Sequence, residues 1–166
     1  HRALAGQPRH QPRPGGDLVR QLFFRGNLDY ITNQAGALET RNQDLTFETL
    51  FALDAKYNPV PHLVDKVDVA DGGRRYTFTL RRGFRFSDGS PVRASAFARA
   101  INRALVPAVK SPGAAFMRDI VGATDVLEGR STAATGVVAR GNTLVVRFTR
   151  PAPDFAARTT LPFFCA

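Results

Sequence analysis

The sequence has a single cysteine, Cys165, no tryptophan and only three histidines, His1, His10 and His62. One cysteine cannot form an internal disulfide bond, and it has no second thiol with which to bind a metal ion. The histidines are too dispersed in the sequence to suggest a metal site or a catalytic triad. Disulfide scaffolds and cysteine-rich metal sites are therefore excluded.

Motifs that mark an enzyme are also absent. The chain has no Gly-X-Ser-X-Gly motif, no glycine-rich phosphate loop and no cysteine with a suitable histidine partner. Asp88-Gly89 resembles a fragment of a calcium loop, but the other acidic ligands are missing at the required spacing. We therefore expect no enzymatic activity, no cofactor and no metal ion.

Lysine is scarce, whereas arginine is abundant. Lysine and arginine together number 23 against 14 acidic residues, which gives a net charge of +9 in 166 residues. Such a surplus raises the question of nucleic-acid binding. The charges are scattered along the chain, however, and many occupy alternate strand positions or helix faces, as Arg81, Arg99 and Arg147 do. A solvated surface is the favoured interpretation, ahead of a polyanion site or attraction to an anionic membrane.

No apolar run approaches the length of a membrane-spanning helix, and this sequence contains no recognisable signal peptide, although a leader outside it remains open because the first residue is His and not Met. The length and the 43% share of hydrophobic residues suit one globular domain. Residues 1–14 are rich in proline and arginine and poor in apolar residues, so we expect them to be a disordered basic linker. A membrane tether and a tail without function are both open interpretations of this segment.

The stretch from residue 75 to residue 105 carries the clearest structural pattern in the chain. Alternating apolar residues predict a strand with one buried face, formed by Tyr76, Phe78 and Leu80. Gly83 interrupts this run before Phe84 and Phe86 resume it. The pattern therefore predicts either two strands or one strand with a bulge at Gly83.

A turn predicted at residues 88–91 then leads into a helix. Phe97, Ile101 and Leu105 recur at helical spacing, which predicts a helix from about residue 94 to residue 105. This helix lacks an obvious capping residue at its start, although Ser95 offers a cap one turn late. We expect the apolar side of the helix to pack on the strand residues, including Phe86.

The remaining patterns predict shorter elements. A mostly apolar helix is expected at residues 43–53, followed by an extended connector at residues 58–61 because two prolines disfavour helix there. Further strands are predicted at residues 64–69, 137–138 and 144–148, with hairpin turns at 71–73 and 140–143. Short helices are predicted at 124–128 and 154–160. The segment after Ser111-Pro112 is expected to form a helical turn with inward side chains, Phe116, Met117 and Ile120.

Several of these motifs resemble the extracellular solute-binding proteins of ABC importers, family 5, which bind dipeptides and oligopeptides. The resemblance is carried by Tyr76-Thr-Phe-Thr-Leu-Arg81, Gly83, Phe86-Ser-Asp-Gly89, Pro91-Val92 and Ala94. Weaker matches extend it in order, from Gly15-Gly16 to Pro151. It spans roughly residues 15–166 but only the front of the family's fold, which implies that the chain is a fragment.

The resemblance implies an α+β fold, the N-terminal part of a two-lobed periplasmic-binding-protein-like (type II) fold with a mostly antiparallel sheet packed with helices. Residues 15–42 would hold the first strand and a cleft loop of lobe I. Residues 43–160 would form an inserted α+β subdomain, and residues 161–166 a truncated return to lobe I.

The resemblance also implies a function. Such a protein binds a peptide or other small solute between its lobes and delivers it to an ABC transporter permease. It would be extracytoplasmic, and only a lipid anchor outside this sequence would associate it with a membrane. No nucleic acid is expected, although a small basic nucleic-acid-binding module is the alternative.

Four residues are candidates for ligand contact by the same resemblance. Gln34, Ala35 and Gly36 correspond to the loop that lines the cleft. Gly113 follows Ser111-Pro112, where some peptide-binding relatives turn an aromatic ring toward the ligand. Glycine at this position is a departure from that pattern.

Overall fold

The structure is a computed structural model that describes residues 48–165. Its strands are β1 (Phe51–Leu53), β2 (Pro59–Pro61), β3 (Val64–Ala70), β4 (Arg75–Leu80), β5 (Val137–Arg140) and β6 (Thr143–Arg147). Its α-helices are α1 (Ala94–Leu105), α2 (Ala123–Leu127) and α3 (Phe155–Arg158). Short 3-10 helices lie at Pro107–Val109, Pro112–Phe116 and Pro162–Phe164.

Four strands form one antiparallel sheet in the order β3-β4-β6-β5. Asp71, Gly72 and Gly73 connect β3 to β4 with positive φ angles of 55°, 63° and 82°. The left-handed conformation favours glycine, which explains why the chain reverses there. The strands predicted at residues 64–69, 76–80, 137–138 and 144–148 are confirmed with both hairpins, as is the mixed α+β class.

The inner face of the sheet is apolar and α1 covers it. Tyr76, Phe78 and Leu80 alternate with half-buried residues on β4, as the period-two pattern predicts. Helix α1 buries its predicted apolar side and lies nearest to β5 and β6. Packing of the helix on the sheet is therefore confirmed, but the strands nearest to it are β5 and β6 and not the predicted β4. Phe86 is only half-buried and lies outside the sheet.

The centre of the core is a cluster of aromatic rings around Phe155. Its ring centroid lies 4.6 Å from that of Phe148 and 5.3 Å from that of Tyr76. The Tyr76 hydroxyl donates a hydrogen bond of 2.7 Å to the carbonyl oxygen of Ala152, and burial raises the pKa of this phenol. Helix α3 is thereby attached to β4 by both apolar and polar contacts.

The helix predicted at residues 43–53 is wrong in its described part, because residues 51–53 form β1 and pair with β2. The Asp54 carboxylate accepts hydrogen bonds from the backbone N–H groups of Lys56 and Asn58, at 2.8 and 2.9 Å. This turn folds residues 51–53 back on the proline-containing segment 59–61, which is already extended. Local apolar content therefore does not decide between helix and strand here.

The strand predicted at Phe84–Phe86 is also wrong. Gly83 adopts a φ of 97°, and only an isolated bridge between Arg85 and Pro91 follows it. Pro91 has no backbone N–H, so it cannot supply the donor that a longer ladder needs. The turn at Asp88 is confirmed, because its carboxylate accepts hydrogen bonds from the backbone and side chain of Ser90.

Helix α1 begins without a side-chain cap. Arg93 occupies the N-cap position in an extended conformation, and its side chain makes no capping hydrogen bond. Ser95 lies inside the first turn, so the late cap offered by Ser95 is not formed. The backbone N–H groups of Ala94 and Ala96 donate to the carbonyl oxygens of Gly141 and Arg93, so a side-chain cap would add to backbone hydrogen bonds already present.

We expect Arg93→Thr to raise the free energy of unfolding by about 1 kcal/mol, because a threonine N-cap accepts a hydrogen bond from the first turn. Urea denaturation of the two proteins measures the change. Arg93→Ala is the matched control, since it removes the same charge without adding an acceptor. Equal stability of the Thr and Ala variants would contradict the capping argument.

Candidate functional site

The segment from Ser111 to Met117 begins with a serine N-cap followed by proline. The Ser111 hydroxyl accepts a hydrogen bond of 3.1 Å from the backbone N–H of Gly113, and Pro112 occupies the first helical position. Serine caps a helix start, and proline fits its first turn because the missing N–H has no partner there. The helical turn predicted for this segment is thus confirmed as a 3-10 helix.

Gly113 is buried and lies directly against Phe163. A Cβ atom at residue 113 would lie 2.6 Å from both Cβ and Cγ of Phe163, which is closer than real atoms approach. The absence of a side chain at residue 113 therefore allows Phe163 to pack there. Ligand contact at Gly113 remains a prediction, and the other three candidates, Gln34, Ala35 and Gly36, lie outside the described residues.

Phe116 does not point inward as the sequence suggested. Its ring is 43% exposed and stacks on Phe163, with centroids 6.3 Å apart and planes 15° apart. Met117 and Ile120 are buried as predicted. Phe163 is itself buried against Gly113, so the exposed ring of Phe116 is the part of this pair that solvent reaches, and we call it the aromatic surface.

A charged cluster holds this aromatic surface to α3. The Arg158 Nη1 atom lies 2.7 and 2.8 Å from the two carboxylate oxygens of Asp119, which is buried. The same guanidinium donates to Asp154 through Nε and Nη2, and to the carbonyl oxygen of Phe116 at 3.1 Å. Arg150 approaches Asp119 more loosely, at 3.8 Å. Residues 116–119 are therefore fixed to α3 by charge-assisted hydrogen bonds.

The hydrogen bonds in this cluster shift two pKa values. Those from Arg158 hold the pKa of the Asp154 carboxyl below its ordinary value. Burial lowers the pKa of Arg158, but its hydrogen bonds to Asp154 and Asp119 outweigh burial, so that the pKa is raised. Both groups stay charged at neutral pH, which suits a structural clamp rather than proton transfer.

Sequence reasoning missed this cluster. The spacing of Asp154 and Arg158, four residues apart in a predicted helix, is a usable sign of their ion pair. Asp119 and Arg158 are 39 residues apart, and no local pattern relates them. Between residues 48 and 165 no group of His, Cys, Asp or Glu could hold a metal ion, and no helix is long and apolar enough to cross a membrane.

Comparison with known proteins gives a consistent set of relatives. A model of the bacterial extracellular solute-binding proteins, family 5 (middle), matches residues 58–164. An Escherichia coli periplasmic protein named for deoxycholate binding is 32% identical over 120 residues, which are 70% of this chain and 22% of that protein. The oligopeptide-binding protein of Bacillus subtilis is 34% identical over 116 residues, 69% of this chain and 21% of that protein.

The fold has close counterparts among solved structures. The Escherichia coli murein tripeptide binding protein matches 85% of this chain with a TM-score of 0.75 and 28% identity. The match covers 28% of that structure. The chain thus spans about a fifth of the length of the curated relatives it matches.

We expect Gly113→Ala to lower the free energy of unfolding by about 1–3 kcal/mol, as overpacking of a filled site does. Chemical denaturation measures the loss. In a Phe163→Gly background the same substitution should have almost no effect, because both contacting atoms are gone. An equal loss in both backgrounds would show that the contact with Phe163 is not the cause.

We expect Arg158→Gln to lower the free energy of unfolding by about 3–5 kcal/mol, because Asp119 then stays buried without its bidentate cation. The control Asp154→Asn removes an exposed partner and should cost less than about 1 kcal/mol. Urea titrations at several pH values measure both. Similar losses in the two variants would contradict a special role for Asp119.

The difference in the free energy of unfolding between wild type and Asp154→Asn should depend on pH in a defined direction. Because the pKa of Asp154 is lowered in the folded state, its ion pair stabilises the fold above the unfolded pKa. This stabilisation disappears as the pH falls through the folded pKa. The difference between wild type and Asp154→Asn should therefore vanish in strong acid.

Proposed function

Because the chain belongs to the bacterial extracellular solute-binding proteins, family 5, we propose that it is part of the solute-binding component of an ABC importer. In this proposal the protein works outside the cytoplasm, binds a peptide or similar solute between two lobes and delivers it to a membrane permease. The observation that carries the proposal is the family match over residues 58–164, which the murein tripeptide binding protein's fold supports.

In this proposal the described residues belong to the first of the two lobes. Residues 43–160 are an inserted α+β subdomain of the first lobe, preceded by a first strand and cleft loop at 15–42 and followed by a return at 161–166. Two features support a separate subdomain. Its sheet is covered by its own helix, and its core is organised around its own ring cluster.

The ligand-facing residues in this proposal are Gln34, Ala35, Gly36 and the surface around Gly113. Gly113 supplies no side chain of its own, so the exposed ring of Phe116 provides the apolar contact instead. Stacked rings accept peptide side chains of many shapes, which suits a binder with weak sequence preference. The solute remains a peptide or another small molecule, since the relatives are named for different solutes.

The net charge of +9 favours one alternative, a small basic nucleic-acid-binding module. Such a module binds single strands by stacking bases on exposed rings. Among the described residues most of the rings are buried in the core, including Tyr76, Phe78 and Phe155, and the exposed rings, Tyr57 and Phe116, come from separate segments. The importer component is therefore the better supported proposal.

A chimera tests the proposal. Residues 58–164 of this chain replace the matching segment of the Bacillus subtilis oligopeptide-binding protein, and a mixed pool of di- to pentapeptides is titrated by calorimetry. We expect the chimera to bind peptide, because its segment has the family's fold. The isolated 166-residue chain should show no binding, since it spans only part of a two-lobed site.

A second chimera serves as control. It carries the matching segment of the Escherichia coli relative, so it shows whether an exchange of this size is tolerated. A folded chimera without peptide binding, or a misfolded one beside a folded control, would contradict the proposal. Micromolar binding of peptide by the isolated chain would contradict the proposal that the chain holds only part of the binding site. A gel shift at low salt tests the nucleic-acid alternative.

A further inference from the structure

The two faces of the four-stranded sheet differ sharply. Helix α1 and the aromatic core cover the inner face. The opposite face presents small residues on its central strands, Thr77 and Thr79 from β4 and Thr143 and Val145 from β6, all of them half-buried. This outer face is open to solvent in the described part of the chain.

Three shallow grooves run together across this outer face and the adjoining end of the sheet. Arg140 and Arg147 line the first, and Arg81 and Arg82 line the second, which shares Thr143 with the first. The third shares Arg82 and Asn142 with the second and includes Arg93. We call the continuous surface formed by Arg81, Arg82, Arg93, Arg140 and Arg147 the arginine face.

The arginine face carries a strong excess of positive charge. All five side chains are exposed, and none of them forms an ion pair with a described carboxylate. Arg81 donates only to the backbone carbonyl of Val64. Asp65 is the acidic residue that lines these grooves. Two further cations of the outer face, Lys66 on β3 and Arg75 on β4, are by contrast paired with Asp68 and Asp71.

Five guanidinium groups on one surface, without a carboxylate partner among residues 48–165, call for an anionic partner that presents many phosphates. Guanidinium groups bind phosphate oxygens in a bidentate manner and are weakly hydrated, so they suit such a partner. The surface is shallow and has no enclosed pocket for a single small anion. Phe84, the ring at its edge, is half-buried and packs on His62, so a platform for stacked bases is missing.

We propose that the arginine face docks on the headgroup surface of a bilayer containing anionic phospholipids. The grooves of the outer face are open to solvent, so several of its arginines can reach an array of phosphates together, and the threonines between the arginines offer additional hydrogen bonds. The choice of a lipid surface over a nucleic acid rests on the proposed extracytoplasmic function. Such docking holds this face of the protein at the membrane, where a permease lies.

Co-sedimentation of the full chain with vesicles tests the proposal. The vesicles contain either phosphatidylcholine alone or phosphatidylcholine mixed with phosphatidylglycerol. We expect binding only to the anionic vesicles, with release by added salt. The triple variant Arg82→Gln/Arg140→Gln/Arg147→Gln should lower the partition coefficient roughly 100-fold, because each cation near the surface contributes about fivefold.

The matched control is Lys56→Gln/Arg99→Gln/Arg118→Gln, which changes the net charge equally. Lys56 lies in the turn between β1 and β2, and Arg99 lies on the exposed side of α1, opposite the outer face of the sheet. We expect this control to lose less than about fivefold in partition. Circular dichroism melting should show that both triple variants remain folded, since all six side chains are exposed or lack charged partners.

Three results would overturn the proposal. They are absence of binding to anionic vesicles, equal loss in the two triple variants, and tighter binding to DNA than to anionic vesicles at the same salt concentration. The assay does not depend on peptide binding. Its failure therefore leaves the importer proposal intact, and a failed chimera leaves the vesicle result intact.

Discussion

The ring of Phe155 is the contact on which the rest of the described structure depends. It comes from the short helix α3 late in the chain, yet it contacts the rings of Tyr76 and Phe78 on β4. It also contacts the rings of Phe148, which follows β6 directly, and of Phe164. A four-residue helix has little stability of its own, because too few hydrogen bonds offset its loss of conformational freedom. Burial of this ring therefore holds α3 in place, and α3 in turn seals the core.

The aromatic surface near Gly113 is a consequence of that attachment. Once α3 is held, Arg158 reaches Asp119, and the segment that follows brings Phe163 against Gly113. The ring of Phe116 then stacks on the outside of Phe163. A surface with a candidate role in ligand contact is thus positioned by core packing and one buried ion pair, not by the local conformation of its own residues.

The sheet separates two kinds of chemistry. Alternation along β4 and β6 sends apolar side chains to the core and small polar ones outward, since successive strand residues point to opposite faces. Arginines that are scattered along the sequence lie together on the outer face of the sheet. Arg81 and Arg147 are far apart in the sequence, but they line adjoining grooves because β4 pairs with β6.

The sequence by itself determined the antiparallel hairpins, the helix α1 and the family, because strand and helix periods, glycine turns and motif order are local properties of the chain. It misplaced residues 51–53 and the ring of Phe116, and it missed the pair between Asp119 and Arg158. Only the tertiary structure decided these features, because each depends on a partner distant in sequence. Residues 51–53 form a strand because β2 pairs with them, and Phe116 stays outside because Phe163 fills the space beside Gly113. The buried carboxylate of Asp119 is stabilised by Arg158, which is 39 residues away.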